Sequence, residues 1–161
     1  MATPIEFRPA AVDSGEGAAL VQAMREEIAA VYDGLALDGA QMPKAGSAEL
    51  GPPEGAFLVG WRDGEAVCCG GIKRLPDEEG AGPACEVKRM FVAPAARGQG
   101  VARALLHALE DLARAMGYAV ARLDTGPRQP HARRLYASEG YREIANFNAN
   151  PVATFFGEKA L

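Results

Sequence analysis

The sequence is short of the residue types on which several classes of function depend. It has three cysteines, Cys68, Cys69 and Cys85. Two are adjacent and the count is odd, which argues against a disulfide framework and leaves them as small apolar strand residues in a reducing setting. The two histidines, His107 and His131, stand in no metal-ligand spacing, so no metal is expected. No apolar run reaches the ~20 residues that span a bilayer. The opening MATPIEFRPA has no basic start followed by an apolar stretch, so no secretory leader is expected and the setting is read as cytoplasmic. No basic cluster is present, and a net charge of −4 draws the chain toward neither nucleic acid nor anionic membrane. No repeat, low-complexity tract or linker divides the chain. A single domain over residues 1–161 is expected, and 48% apolar residues suffice to give it a core.

What is present follows two periods. Ile5–Arg8 alternates and is read as a first strand; Ala18–Tyr32 carries an apolar stripe and is read as a helix ending at Asp33-Gly34. Residues 34–55 show no sustained period, a length that marks a functional or mobile loop, with a short helix expected around Ala45–Leu50. Ala56–Trp61, Ala66–Leu75 and Ala84–Val92 read as an antiparallel meander, the first hairpin turning on Asp63-Gly64. Gly70-Gly71 marks a bulge or a close backbone approach. Next come a helix over Gln99–Met116, a strand over Tyr118–Asp124 buried on both faces, a helix over Gln129–Glu139, and strands at Tyr141–Ile144 and Thr154–Lys159. In the long helix, Val101, Leu105, Leu109, Leu112 and Met116 form the stripe, with Arg103, His107, Glu110, Asp111 and Arg114 opposite. The spacing of strand, helix and strand makes 84–92 and 118–124 a parallel pair.

The turn between that first strand and the long helix is Arg97-Gly98-Gln99-Gly100-Val101-Ala102. A Gly-rich turn at a helix N-terminus holds anions, because unpaired amides and the helix dipole face the ligand. Three phosphate patterns compete. A nucleotide P-loop needs Lys and Ser/Thr after its last glycine, and neither follows Gly100. A dinucleotide fold needs a third glycine where Arg103 stands, although Asp124 sits near the place of its acidic ribose partner. The third pattern, Arg/Gln-x-x-Gly-x-Gly/Ala, is met by Arg97, Gly100 and Ala102.

On that match the segment resembles the acetyl-CoA-binding motif of the GNAT superfamily of N-acetyltransferases. Gln129-x-x-Ala132-x-x-Leu135-Tyr136-x-x-x-Gly140-Tyr141 is similar to a second motif of that family, with Gln129 in place of the usual Asn. The resemblance implies an α/β (α+β) fold: a mixed, mostly antiparallel sheet of six to seven strands with a central parallel pair and about four helices on its faces. It implies acetyl-CoA as cosubstrate, held by backbone amides of the loop Gly98, Gln99, Gly100, Val101 and Ala102, with Arg97 as a phosphate neighbour. It implies pantetheine pairing by the backbone of Met90, Phe91 and Val92, with a bulge there that splays the strand from its parallel neighbour and opens the cleft, and a contact from Gln129. Glu86 matches the position of a general base and Tyr136 that of the general acid. Tyr32 and the 34–55 loop fall on the acceptor side. Arg89, in the pair Lys88-Arg89, is a candidate grip for an acceptor carboxylate; Glu26, Glu27, Asp33 and Asp38 favour instead a cationic acceptor. Arg128, Arg133 and Arg134 are candidates for the CoA 3′-phosphate. The implied activity is transfer of acetyl to a small-molecule primary amine in a ternary complex, in a possible homodimer. A non-catalytic acyl-CoA-binding or sensing module is the alternative.

Overall fold

A computed structural model describes residues 3–161. Its elements in chain order are β1 (Glu6–Pro9), α1 (Gly15–Val31), β2 (Ala56–Arg62), β3 (Glu65–Arg74), β4 (Ala84–Val92), α2 (Val101–Ala115), β5 (Val120–Thr125), α3 (Pro130–Ser138), β6 (Arg142–Glu143) and β7 (Phe155–Ala160), with a 3-10 turn at Pro94–Ala96. The strands form one seven-stranded sheet in the order β1-β2-β3-β4-β5-β7-β6. All neighbours are antiparallel except β4 and β5. The parallel pair thus sits where the N-terminal meander meets the C-terminal strands, as the spacing of strand, helix and strand requires.

Successive residues of a strand face opposite sides of a sheet, and here each side has its own core. Cys68, Ile72, Cys85 and Val87 pack with Leu105, Leu106 and Leu109 of α2. Cys69, Val59, Phe57 and Phe91 pack with Leu20 and Val21 of α1. The adjacent cysteines therefore point into different cores, and all three are free and buried. Each fully buried leucine of α2 contributes roughly 1.5–3 kcal/mol relative to an exposed one.

A single extra residue in β4 shapes the middle of the sheet. Cys69 and Gly71 of β3 pair with Phe91 and Lys88, so three steps along β4 oppose two along β3. The irregularity expected at Gly70-Gly71 is thus a β4 bulge. Its residue Arg89 takes φ +58°, a left-handed conformation that costs a non-glycine residue about 1–2 kcal/mol. The parallel ladder covers only Ala84–Glu86 against Val120–Arg122. Beyond Glu86, β4 has no ladder partner on its β5 side, and a cleft opens there.

Some expectations are corrected. Among the described residues there are three α-helices rather than about four: residues 45–50 form turns. Met116 lies beyond the end of α2, and Leu112 and Met116 are half-buried rather than core. Glu110, expected on the polar face of α2, is 2% exposed; Tyr141 donates to it at 2.8 Å and Lys159 Nζ at 3.0 Å. β5 is not buried throughout, since Val120, Arg122 and Asp124 are half-buried, Arg122 being held by Glu78 and Glu158.

Candidate active site

The loop after β4 is shaped by two left-handed glycines, Gly98 (φ +73°) and Gly100 (φ +78°, the N-cap of α2). Nothing lies within 4 Å of where a Cβ on either would stand. The loop surface is therefore open beside the first amides of α2, which suits the close approach of a phosphate group. Side chains brace the loop from outside. Gln99 accepts from Arg62 Nη1 at 2.7 Å and donates to the Ala95 carbonyl at 3.1 Å, so only its backbone is free to serve the cradle. Arg97 Nη2 pairs with Glu27 at 2.5 Å, and its Nε donates to the Val92 carbonyl at 2.9 Å. Its guanidinium also lies 5.5 Å from the Phe91 ring centroid. Arg97 thus ties α1, β4 and the loop together.

The cleft between the diverging strands has a volume of about 140 Å³ and is lined in part by Met90, Arg89, Asp124, Gln129 and Tyr136. Tyr136, on α3, is 7% exposed. Its hydroxyl donates only a long bond, 3.9 Å, to the Met90 sulfur. Burial, with a lesser contribution from nearby Asp124, pushes its pKa well above the ordinary phenol value, so the ring stays protonated.

Glu86 and Asp124 are brought together by a residue that the sequence did not single out. Asn148 Nδ2 donates to Glu86 Oε2 and to Asp124 Oδ2, each at 2.7 Å. Asn150 Nδ2 adds a bond to Asp124 Oδ2 at 3.0 Å. Glu86 is 0% exposed and does not line the cleft. Lys88 Nζ meets its Oε2 at 3.1 Å, and its Oε1 is buried without a partner. Asp124 does line the cleft. The only sequence signal for this bridge was the alternation Asn146, Asn148, Asn150. These residues build a loop on their own backbone, with Asn146 Oδ1 accepting from Ala149 N at 2.9 Å and Asn150 Oδ1 from Val152 N at 2.9 Å.

Tyr32, just past α1, reaches Gln129 Oε1 at 3.3 Å and accepts from the Arg128 amide at 3.2 Å. A Cβ on Gly126 would fall 2.1 Å from the Tyr32 hydroxyl, so only glycine admits this ring. Both Tyr32 and Gln129 line the cleft. The three arginines of this region have partners: Arg128 pairs with Asp33 at 2.9 Å, Arg133 with Glu143 at 3.2 Å, and Arg134 lies 2.7 Å from His131. Three of the four acidic residues that favour a cationic acceptor are taken up by arginines, and Glu26 accepts from Gln22 Nε2 at 3.3 Å. Glu27 pairs with Arg97, Asp33 with Arg128, and Asp38 with both Arg25 and Arg89.

Comparison with known proteins agrees with this layout. Residues 21–141 match the model of the acetyltransferase (GNAT) family. An IAA acetyltransferase of Azospirillum brasilense is 41% identical over 115 residues, 70% of this chain and 72% of that protein. A structure from Klebsiella pneumoniae, proposed to be an acyl-CoA N-acyltransferase, superposes with TM-score 0.71 at 32% identity, covering 98% of this chain and 97% of that one. The PaiA N-acetyltransferase of Thermoplasma acidophilum, solved with coenzyme A, shares the fold at TM-score 0.67 and 14% identity, covering 99% of this chain and 100% of that one. The chain belongs to the GNAT family of acetyltransferases.

Proposed function

We propose that this enzyme transfers acetyl from acetyl-CoA to the primary amine of a small molecule by direct attack in a ternary complex. The observation that carries the proposal is that β4, once β5 leaves it after Glu86, runs past a cleft lined by the buried Tyr136 and on into the open glycine loop. The coenzyme fits these residues. The amides from Gly98 to Ala102 would hold its pyrophosphate. The free edge of β4 at Met90, Phe91 and Val92 would pair with its amide-bearing arm, which is possible only because β5 leaves β4 after Glu86. Bound there, the coenzyme supplies an activated thioester carbonyl.

The chain's own groups handle the protons. An alkylamine has a pKa near ~10 and must lose a proton before it attacks. Asp124 lines the cleft and takes that proton; Glu86 lies behind it, coupled through Asn148, and keeps the region anionic. A backbone amide of β4 is available to the developing oxyanion. Tyr136 donates a hydrogen bond to the departing sulfur, a much stronger acceptor than the Met90 thioether it now meets. A thiol near ~8.5 is a stronger acid than a phenol, so Tyr136 stabilises the thiolate without surrendering its proton, and the thiolate takes the second proton that the acylated nitrogen releases. Gln129 and Tyr32 form the adjoining wall on the acceptor side.

The test is acetyl-CoA-dependent thiol release across a panel of primary amines, with coenzyme binding measured in parallel. Saturable release with some amines is expected. Tight coenzyme binding with no release from any amine would instead make the chain a binding module.

A further inference from the structure

Of the three charged residues that line the cleft, Lys88 is paired with Glu86, and the other two are differently satisfied. Asp124 receives two Asn amides on one oxygen. Arg89 is 6% exposed, yet its Nε is buried with no hydrogen-bond partner. Among the described residues its one ion pair runs from Nη2 to Asp38 Oδ1 at 2.9 Å. The other Asp38 oxygen goes to Arg25 Nε at 2.5 Å. One carboxylate therefore serves two guanidinium groups, and half of Arg89's fork is empty where an unpaired donor is costly. The edge formed by Nε and one Nη matches the two oxygens of a carboxylate. Asp38 is well placed to give way, being 48% exposed at its side chain and already bound to a second arginine. It belongs to the irregular segment that also supplies Leu35, Leu37, Met42 and Pro43 to the cleft.

From this we infer that Arg89 anchors a carboxylate on the acceptor, and that Asp38 holds the seat until the acceptor arrives. The acceptor class is then an amine that carries its own carboxylate: the carboxylate takes Nε and Nη2 of Arg89, Asp38 stays with Arg25, and the ammonium faces Asp124. The apolar lining from Met24, Ile28, Leu35 and Leu37 suits an apolar body between the two charges. This inference rests on the acetyl-transfer reading and narrows it.

Matched acceptors test it in the full chain: leucine, leucinamide and isopentylamine, with phenylalanine, phenylalaninamide and phenethylamine, and β-alanine with its amide. In at least one set the carboxylate form should exceed its amide about a hundredfold in kcat/KM, through KM. Arg89→Gln should collapse that ratio to within about threefold, with Arg89→Lys recovering part of it, and Asp38→Asn should lower KM for the carboxylate form alone. Amides as good as acids in every set, or an Arg89→Gln loss equal for both forms, overturns the anchor. If Arg89→Gln does not fold, the wild-type ratio and Asp38→Asn decide. If no amine releases thiol although coenzyme binds, the transfer reading has failed, and the anchor is judged by equilibrium binding of N-acetylleucine against N-acetylleucinamide with CoA present. A preference of about tenfold or more for the acid upholds it; equal binding overturns it.

Discussion

Asn148 and Glu86, distant in sequence, meet at 2.7 Å, and the same amide nitrogen reaches Asp124 at 2.7 Å. One neutral donor therefore keeps two carboxylates close together, with Lys88 as the nearest cation. Asn148→Ala should remove that bridge and leave carboxylate oxygens short of donors, costing about 1–3 kcal/mol of stability. Asn148 acts through its neighbours, so kcat should fall about tenfold while KM for the amine changes by less than about twofold. A stability loss with unchanged kinetics would make the bridge purely structural.

The two carboxylates should not be equivalent. Asp124 borders the cleft, whereas Glu86 lies behind it on Lys88 and Asn148. Asp124→Asn should lower kcat/KM by about a hundredfold or more, within the range for a lost general base, and Glu86→Gln by about tenfold. Steady-state kinetics on the preferred amine measures both. The reverse ranking would return the base role to Glu86.

Tyr136→Phe tests the leaving-group interaction. The phenol makes only a 3.9 Å bond to the Met90 sulfur, so removing its oxygen disturbs little in the free protein. Turnover should fall about tenfold to a hundredfold, while coenzyme affinity changes by less than about twofold. Equal losses in both would place Tyr136 in binding rather than in transfer.

The cysteines should be silent toward thiol reagents. Burial pushes Cys68 up to about 11, and Cys69 and Cys85 up to about 12, so little reactive thiolate exists near neutrality. DTNB added to the folded protein should report almost no protein thiol over minutes, and all three once the chain is denatured. Rapid modification of the folded protein would show that one of the two cores opens readily.

What the sequence made legible, and what it did not, divides along physical lines. The loop Gly98–Ala102 and α2 were readable because glycine placement and helical period are local properties. The β4 bulge is implied by the family resemblance, but its place at Arg89 was not readable from the residues: one added residue leaves the strand's composition unchanged, and the two-glycine signal lay on the facing strand. The Lys88-Arg89 pair marks Arg89 as a candidate carboxylate grip, but its half-empty, buried fork was not readable, since its aim depends on where the bulge falls. Glu110 was placed on the wrong face because a helical wheel gives direction but not depth, and its partners Tyr141 and Lys159 come from beyond the helix. Asn148 lies in a segment with no hydrophobic period, only an alternation of asparagines, and its role exists only across the sheet.

Alkaline pH supplies a test of the packing as a whole. All four tyrosines have pKa values raised above the ordinary phenol, with burial as the largest cause in each: Tyr32, Tyr118, Tyr136 and Tyr141. In the unfolded chain they ionise near ~10. Below that pH both states hold these protons, and the groups do not alter stability with pH. Above it the unfolded state binds fewer protons than the folded state, so stability falls as pH rises. Phenolate absorbance near 295 nm should therefore lag a model tyrosine at pH 10–11 and then appear together with loss of helical ellipticity. Denaturation midpoints should decline over the same interval. Smooth titration of all four phenols at the ordinary phenol pKa, with the fold intact, would contradict the burial of Tyr136 and Tyr141, and with it the enclosed setting assigned to the leaving-group donor.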